Sequence, residues 1–161
     1  MPEKDKTDDA ILSASDNINK ELNKTNQDDF KLFREFVVKA GAFVQIDNKM
    51  YLTAEAWQYI VALKRLNIEI TCEEDNSSDK DADVVIRVTC KLIDKEGRVV
   101  SIGVTEATTG EDWLKDKPTY AVYGTAQTRA ISRAVRNKFA YIAKVSGFEA
   151  VPYDELPKGK K

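Results

Sequence analysis

Residues 117–148 read KPTYAVYGTAQTRAISRAVRNKFAYIAKVSGF, and the fold turns on how this stretch is read. Pro118 suits the first turn of a helix, because its missing N–H is not needed there. Gly147 suits the position just past the helix end, and Phe148 is placed for the hydrophobic contact that follows such a cap. Projected at about 100° per residue, Arg129, Arg133 and Arg136 fall within a sector of roughly 60°, with Ala140 among them and Lys144 at the border. Ile131, Val135, Ile142 and Val145 gather on the opposite side beside Ala134. The pattern predicts a helix with its apolar side on a sheet and a row of guanidinium groups on the other side, along about 11 Å of axis. Ala126, Ala130 and Ala140 flank that row and are expected to leave the arginine heads accessible.

Working back toward the N-terminus, Val84–Ile93 and Arg98–Thr105 alternate as strands, joined by Asp94-Lys95-Glu96-Gly97 with glycine at the bend. Period two puts Val84, Ile86, Val88, Cys90 and Leu92 on a core face and Arg87, Thr89 and Lys91 on a polar, basic face. Asn67–Glu74 reads as a third strand, with Ile68, Ile70 and Cys72 alternating against polar residues. Asp75–Asp81 reads as an acidic loop and Thr108–Asp116 as a second loop. Further back, Asp28 or Asp29 is a plausible N-cap for a helix over Phe30–Ala40, whose Phe33, Phe36 and Val37 share a face and which Gly41 ends. Ala42–Ile46 and Lys49–Leu52 form a hairpin across Asp47-Asn48. Thr53 caps a helix running through Leu66, with Trp57, Ile60, Val61 and Lys64 at helical spacing. The expected fold class is α+β: a β-hairpin and a three-stranded β-β-β-α core, an antiparallel sheet packed against the long C-terminal helix. The expected organisation is a flexible acidic tail over 1–28 with at most a short helix near Ala10–Leu22, one domain over 29–150, and a C-terminal tail over 151–161.

Composition narrows the function. The chain has 161 residues, no histidine and two cysteines, which rules out His-based triads and His-metal sites. Cys72 and Cys90 lie in apolar runs and read as small buried hydrophobes. Neither a P-loop nor a dinucleotide fingerprint occurs. No apolar run is long enough to span a membrane, and the charged N-terminus is no signal peptide, so cytoplasmic residence is the default expectation. Net charge is −2, yet residues 117–148 carry six basic and no acidic side chains. The local field, not the net charge, decides where an anion binds.

Arginine suits such a site because its planar fork grips two phosphate oxygens and stacks on base faces. Tyr120, Tyr123 and Tyr141 add stacking surfaces, and Lys138 and Lys144 add charge. The competing reading is a solvated helix face whose arginines pair with acids elsewhere, such as Glu106, Glu111 or Asp112. The absence of acids within the segment argues against ion pairs internal to the helix.

The run Ala126-Gln127-Thr128-Arg129-Ala130-Ile131-Ser132-Arg133-Ala134-Val135-Arg136-Asn137-Lys138-Phe139 resembles the signature helix of single-strand annealing proteins of the Rad-fifty-two type, which include many phage annealing proteins. The three strands before it fit the same order, so the resemblance covers about Leu52 to Phe148. It implies single-stranded DNA held between the long helix and the hairpin, a ring or filament of subunits, and ATP-independent pairing of complementary strands. Arg133 and Arg136 match the family's basic positions. Ser132 departs from the family's frequent lysine, and Arg129 stands one turn earlier as a substitute. Arg87, Lys91, Lys95 and Arg98 are the hairpin side chains the resemblance would add.

An annealing protein needs no nucleophile, metal or cofactor, and the expectation is a non-enzyme that holds backbone phosphates and leaves base edges free. The alternatives are a single-stranded DNA- or RNA-binding module without annealing, an adaptor docking on an acidic protein, and a small Mg²⁺ nuclease using Glu106, Glu111 and Asp112. Trp57 reads as core. Trp113 reads as packing under the long helix, with a subunit interface or a stacked base as other roles.

Overall fold

The computed structural model describes residues 24, 26–75 and 83–157; the expected helix near Ala10–Leu22, the tip of the 75–81 loop and the last four residues lie outside them. The elements are α1 (residues 26–40), β1 (Phe43–Ile46), β2 (Lys49–Leu52), α2 (Ala54–Leu63), β3 (Asn67–Asp75), β4 (Val85–Ile93), β5 (Val99–Thr108) and α3 (Thr119–Val145), followed by a short 3₁₀ turn, Tyr153–Glu155. Strands β1 and β2 pair as one antiparallel ribbon, and β3-β4-β5 form a three-stranded antiparallel sheet. The α+β class is therefore as expected, with α3 packed on β4 and β5 on one side and α2 on the other.

Local chemistry explains the boundaries. Asp47 and Asn48 both take positive φ (47° and 65°), the backbone that a two-residue hairpin of primed type demands. Gly41 and Gly147 close α1 and α3 in the left-handed conformation, with paired bonds back to the last turn: Ala42 N–H to Val37 O, and Phe148 N–H to Ala143 O. The same closure ends α2 three residues earlier than expected. There Arg65 takes the left-handed position at φ 53°, and Leu66 N–H donates to Val61 O. Without a glycine, that stop leaves no mark in the sequence. Helix α1 already runs at residues 26–29, so neither Asp28 nor Asp29 caps it; Asp29 instead accepts from Lys64 Nζ at 2.6 Å, tying α1 to α2. Thr53 stands at the N-cap of α2 in extended conformation but makes no side-chain cap bond.

The core joins the inward residues of β4 (Ile86, Val88, Cys90, Leu92) to Trp57 and Ile60 of α2, Phe33 and Val37 of α1, and α3. Two expectations fail here. Cys72 is exposed, because β3 is an edge strand that α3 leaves largely uncovered, and Ile68 is exposed for the same reason. In addition, α3 is buried on two sides. Ala126, Ala130 and Ala134 are fully buried, and so are Val135 and Ile142, whereas Val145 is 63% exposed. Ala134 packs inward as expected, but Ala126 and Ala130 do so too rather than flanking an open row, and of the three alanines expected there Ala140 alone stays half-buried. The helix bends at Phe139, whose φ of −121° and ψ of 18° are not helical. Past that bend Tyr141 meets Phe30 of α1 edge-on, and Phe148 meets Phe33.

Candidate nucleic-acid interface

Strand β5 is the other edge of its sheet, and α3 runs along it. The inward side of β5 at this contact is Ser101, Gly103 and Thr105, all small. A Cβ on Gly103 would lie 2.5 Å from Ala130 O and closer still to the Ala134 nitrogen, so only glycine admits the helix this close. Ser101 Oγ donates to Ala134 O at 2.6 Å, and Thr105 Oγ1 donates to Ala126 O at 2.8 Å.

This approach lets helix side chains reach the strand's edge. Arg129 Nη1 donates to Glu106 O at 3.2 Å, Arg133 Nη1 to Val104 O at 3.0 Å, and Asn137 Nδ2 to Ile102 O at 2.9 Å. Four helical residues rise about 6 Å and two strand residues about 6.6 Å, so steps of four on α3 match steps of two on antiparallel β5. The result is a ladder that covers carbonyls which an edge strand would otherwise present to another chain.

The arginines that make or adjoin this ladder are also paired with carboxylates. Arg129 holds Glu111 in a two-pronged bond of 2.8 and 2.7 Å. Glu155, brought back by the segment after α3, accepts from Arg133 Nε at 3.2 Å and from Arg136 Nη1 at 2.9 Å. The segment is anchored where Glu149 N–H donates to Met50 O of β2 at 2.8 Å. Side-chain exposure is 18%, 38% and 28% for Arg129, Arg133 and Arg136. The expectation of freely accessible heads is thus corrected. The acids come from the loop before α3 and the segment after it, so their absence from residues 117–148 did not mean absence in space. Hydrogen bonds from Arg129 and Trp113 outweigh partial burial and hold the Glu111 carboxyl at about 2, and the Glu111 bond raises the Arg129 guanidinium.

The remaining expected residues divide between other places. On the outward sheet face Arg87 pairs with Glu106, and Lys91 Nζ lies 3.2 Å from Glu69. Lys95 and Arg98 stand at the β4-β5 turn, where Arg98 Nε donates to Asp94 at 2.8 Å; Arg98 precedes β5 rather than starting it. Glu106 joins the two regions, since its carboxylate holds Arg87 and its carbonyl accepts from Arg129. Tyr123 is directed to β3, where its hydroxyl donates to Glu74 at 2.6 Å, and it does not join the arginine row. Lys138 is exposed and projects far around α3 from Arg136, and Lys144 lies 3.7 Å from Glu149 past the bend. Ser132 is fully buried, so a lysine at that position would have no route to the row.

Among the described residues, two of the cavities adjoin the row. One of about 470 Å³ is bounded by Thr105, Arg133 and Glu155 among others, and one of about 360 Å³ lies between Trp113 and α3. Trp113 is 38% exposed and lines this space rather than packing wholly beneath the helix; sequence reasoning had no signal for that cavity. Among the described residues, no three His, Cys, Asp or Glu side chains group where they would hold a metal ion, and no helix is long and apolar enough to cross a membrane. Compared with known proteins, the chain matches no family profile, no curated protein and no solved structure.

Proposed function

We propose that this chain binds the backbone of single-stranded DNA, or RNA, along the α3–β5 junction and promotes ATP-independent annealing of complementary strands. The observation that carries the reading is the row Arg129, Arg133 and Arg136, of which the first two are held by the ladder to an edge strand and the third is tied to Arg133 through Glu155. Guanidinium groups already gripping carboxylates in two-pronged and bridging geometry are arranged for oxyanions, and phosphate is the same kind of acceptor. Arg87, Lys91, Lys95 and Arg98 extend positive charge over the neighbouring face. The resemblance of residues 126–139 to the annealing-protein helix supports the same activity, and assembly into a ring or filament belongs to that proposal.

The test is to titrate labelled oligonucleotides across a salt series, then mix complementary strands with and without protein. Binding that weakens steeply with salt and ignores sequence, followed by accelerated pairing, is expected. Arg133→Ala with Arg136→Ala should reduce affinity at least tenfold while the fold is retained. Binding without faster pairing would reduce the function to strand binding. A mass measurement that finds a monomer both free and DNA-bound would remove the ring or filament.

The row's hold on Glu111 and Glu155 favours one other reading, an adaptor that docks an acidic peptide. Unchanged oligonucleotide affinity in the double variant, with loss of binding to a poly-glutamate peptide, would select it.

A further inference from the structure

Gly124 lies inside α3 with ordinary helical backbone, and a Cβ added there meets nothing within 4 Å. Neither sterics nor backbone conformation calls for glycine, in contrast to Gly103, and glycine inside a helix costs stability relative to alanine. What Gly124 does is keep one wall of the 360 Å³ cavity flat. Ala121, Gly124, Thr125 and Thr128 share that face of α3 at helical spacing, and Trp113 lines the same space. Arg129 and Asp154 complete the rim.

Trp113 is oriented by the same ion pair that fixes the first step of the ladder. Its Nε1 donates to Glu111 Oε2 at 3.0 Å, and that carboxylate is gripped by Arg129. The space is therefore lined by an indole, the small residues Ala121 and Gly124, two threonines, of which Thr125 donates its hydroxyl to Ala121 O at 2.9 Å, and a guanidinium. Its volume is at the low end of the roughly 300–1,000 Å³ range of ligand sites, a size for one planar ring system and not for a whole cofactor.

We infer that this slot receives a single nucleobase of the bound strand, stacked against Trp113 beside the small-residue face of α3. This rests on the proposed strand binding, and it adds a base contact to a site that would otherwise touch only phosphate. The occupant follows from continuity: the slot shares Arg129 with the row, so a strand whose phosphates follow Arg136, Arg133 and Arg129 arrives at the slot. Stacking of this kind tolerates any base, since each has a π-face.

Trp57 is fully buried and Trp113 is not, so a collisional quencher such as acrylamide reads Trp113 in the full-length chain. A mixed-sequence oligonucleotide should shield it, and a length-matched abasic strand should not. Gly124→Leu should lower affinity for the normal strand about tenfold, the scale of one stacked base, and leave abasic-strand affinity unchanged. Its thermal unfolding should match or exceed the wild type. Gly124→Ala, which adds one methyl group, serves in its place if the leucine lowers the melting temperature, with a smaller loss of affinity expected. If both strands bind equally, or Trp113 stays accessible in the complex, the base slot is overturned while strand binding stands. If the wild-type chain binds neither strand, the proposed function falls and the slot with it.

Discussion

Arg129 grips Glu111 through both terminal guanidinium nitrogens, at 2.8 and 2.7 Å, and so fixes the loop before α3 to the middle of that helix. The Glu111 carboxyl is held at about 2 against an ordinary 4.5, so the folded state releases this proton more readily than the unfolded chain. The pair's contribution is complete above pH 4.5 and is lost as the pH falls through that value toward about 2. Partial exposure of both side chains limits it to on the order of 1–2 kcal/mol. Glu111→Gln should lower stability at neutral pH by that amount and flatten the pH dependence in the same window. Denaturant unfolding at a series of pH values checks this, and an unchanged neutral-pH midpoint would refute it.

Glu155 is 11% exposed and bridges Arg133 and Arg136. Under the proposed function its carboxylate competes with phosphate for the row. Glu155→Gln should raise oligonucleotide affinity by about three- to tenfold at low salt and steepen the salt dependence by roughly one phosphate contact. A stability cost of about 1 kcal/mol is expected from the lost pairing. Affinity that stays level or falls would mean that the row does not meet the strand, or that Glu155 is needed to hold the arginines in place; arginine substitutions in the same assay separate these.

Gly103 is crowded by backbone on the facing helix. Gly103→Ala should destabilise the protein by about 2–4 kcal/mol, because backbone atoms of α3 cannot move aside as a flexible side chain would. Gly124→Ala should instead be neutral or stabilising by about 0.5–1 kcal/mol. Thermal or denaturant melts of the two variants side by side make the comparison; similar melting temperatures would contradict the close approach.

Cys72 is exposed on β3, whereas Cys90 is buried in the core and burial pushes its thiol up to about 11. A thiol reagent such as dithionitrobenzoate should label one cysteine per native chain within minutes and the second only on unfolding. Mass spectrometry of the labelled peptides assigns them, and rapid native labelling of Cys90 would show that β4 is not enclosed as described.

Much of this architecture is legible in the residue order. Alternation in β4, the Asp47-Asn48 turn, Gly41 and Gly147 each report a local backbone requirement, and local requirements survive in sequence. What is not legible is contact between distant segments. Alanines at 126 and 130 look like neutral spacers until Gly103 and Thr105 are set against them. The arginine row looks open within its own segment; Glu111 is among the acids the sequence offers as partners, whereas nothing in the sequence brings Glu155 back to the row. Strand β3 carries an alternating apolar pattern, yet the pattern does not say that the sheet ends there. Arg65 closes α2 with no glycine to announce it.

The close seat of β5 on α3 decides which part of the molecule is free to move. Side-chain bonds run from strand to helix and from helix to strand across a contact with no room for a methyl group, so these two elements travel together as one rigid unit. Any motion that uncovers Arg133 and Arg136 must then be made by the segment that carries Glu155, hinged near Glu149 where it joins β2, while Arg129 stays paired with Glu111 of the loop before α3. The gate and the floor of this surface belong to different stretches of chain, and substitutions in the gate can retune access without disturbing the floor.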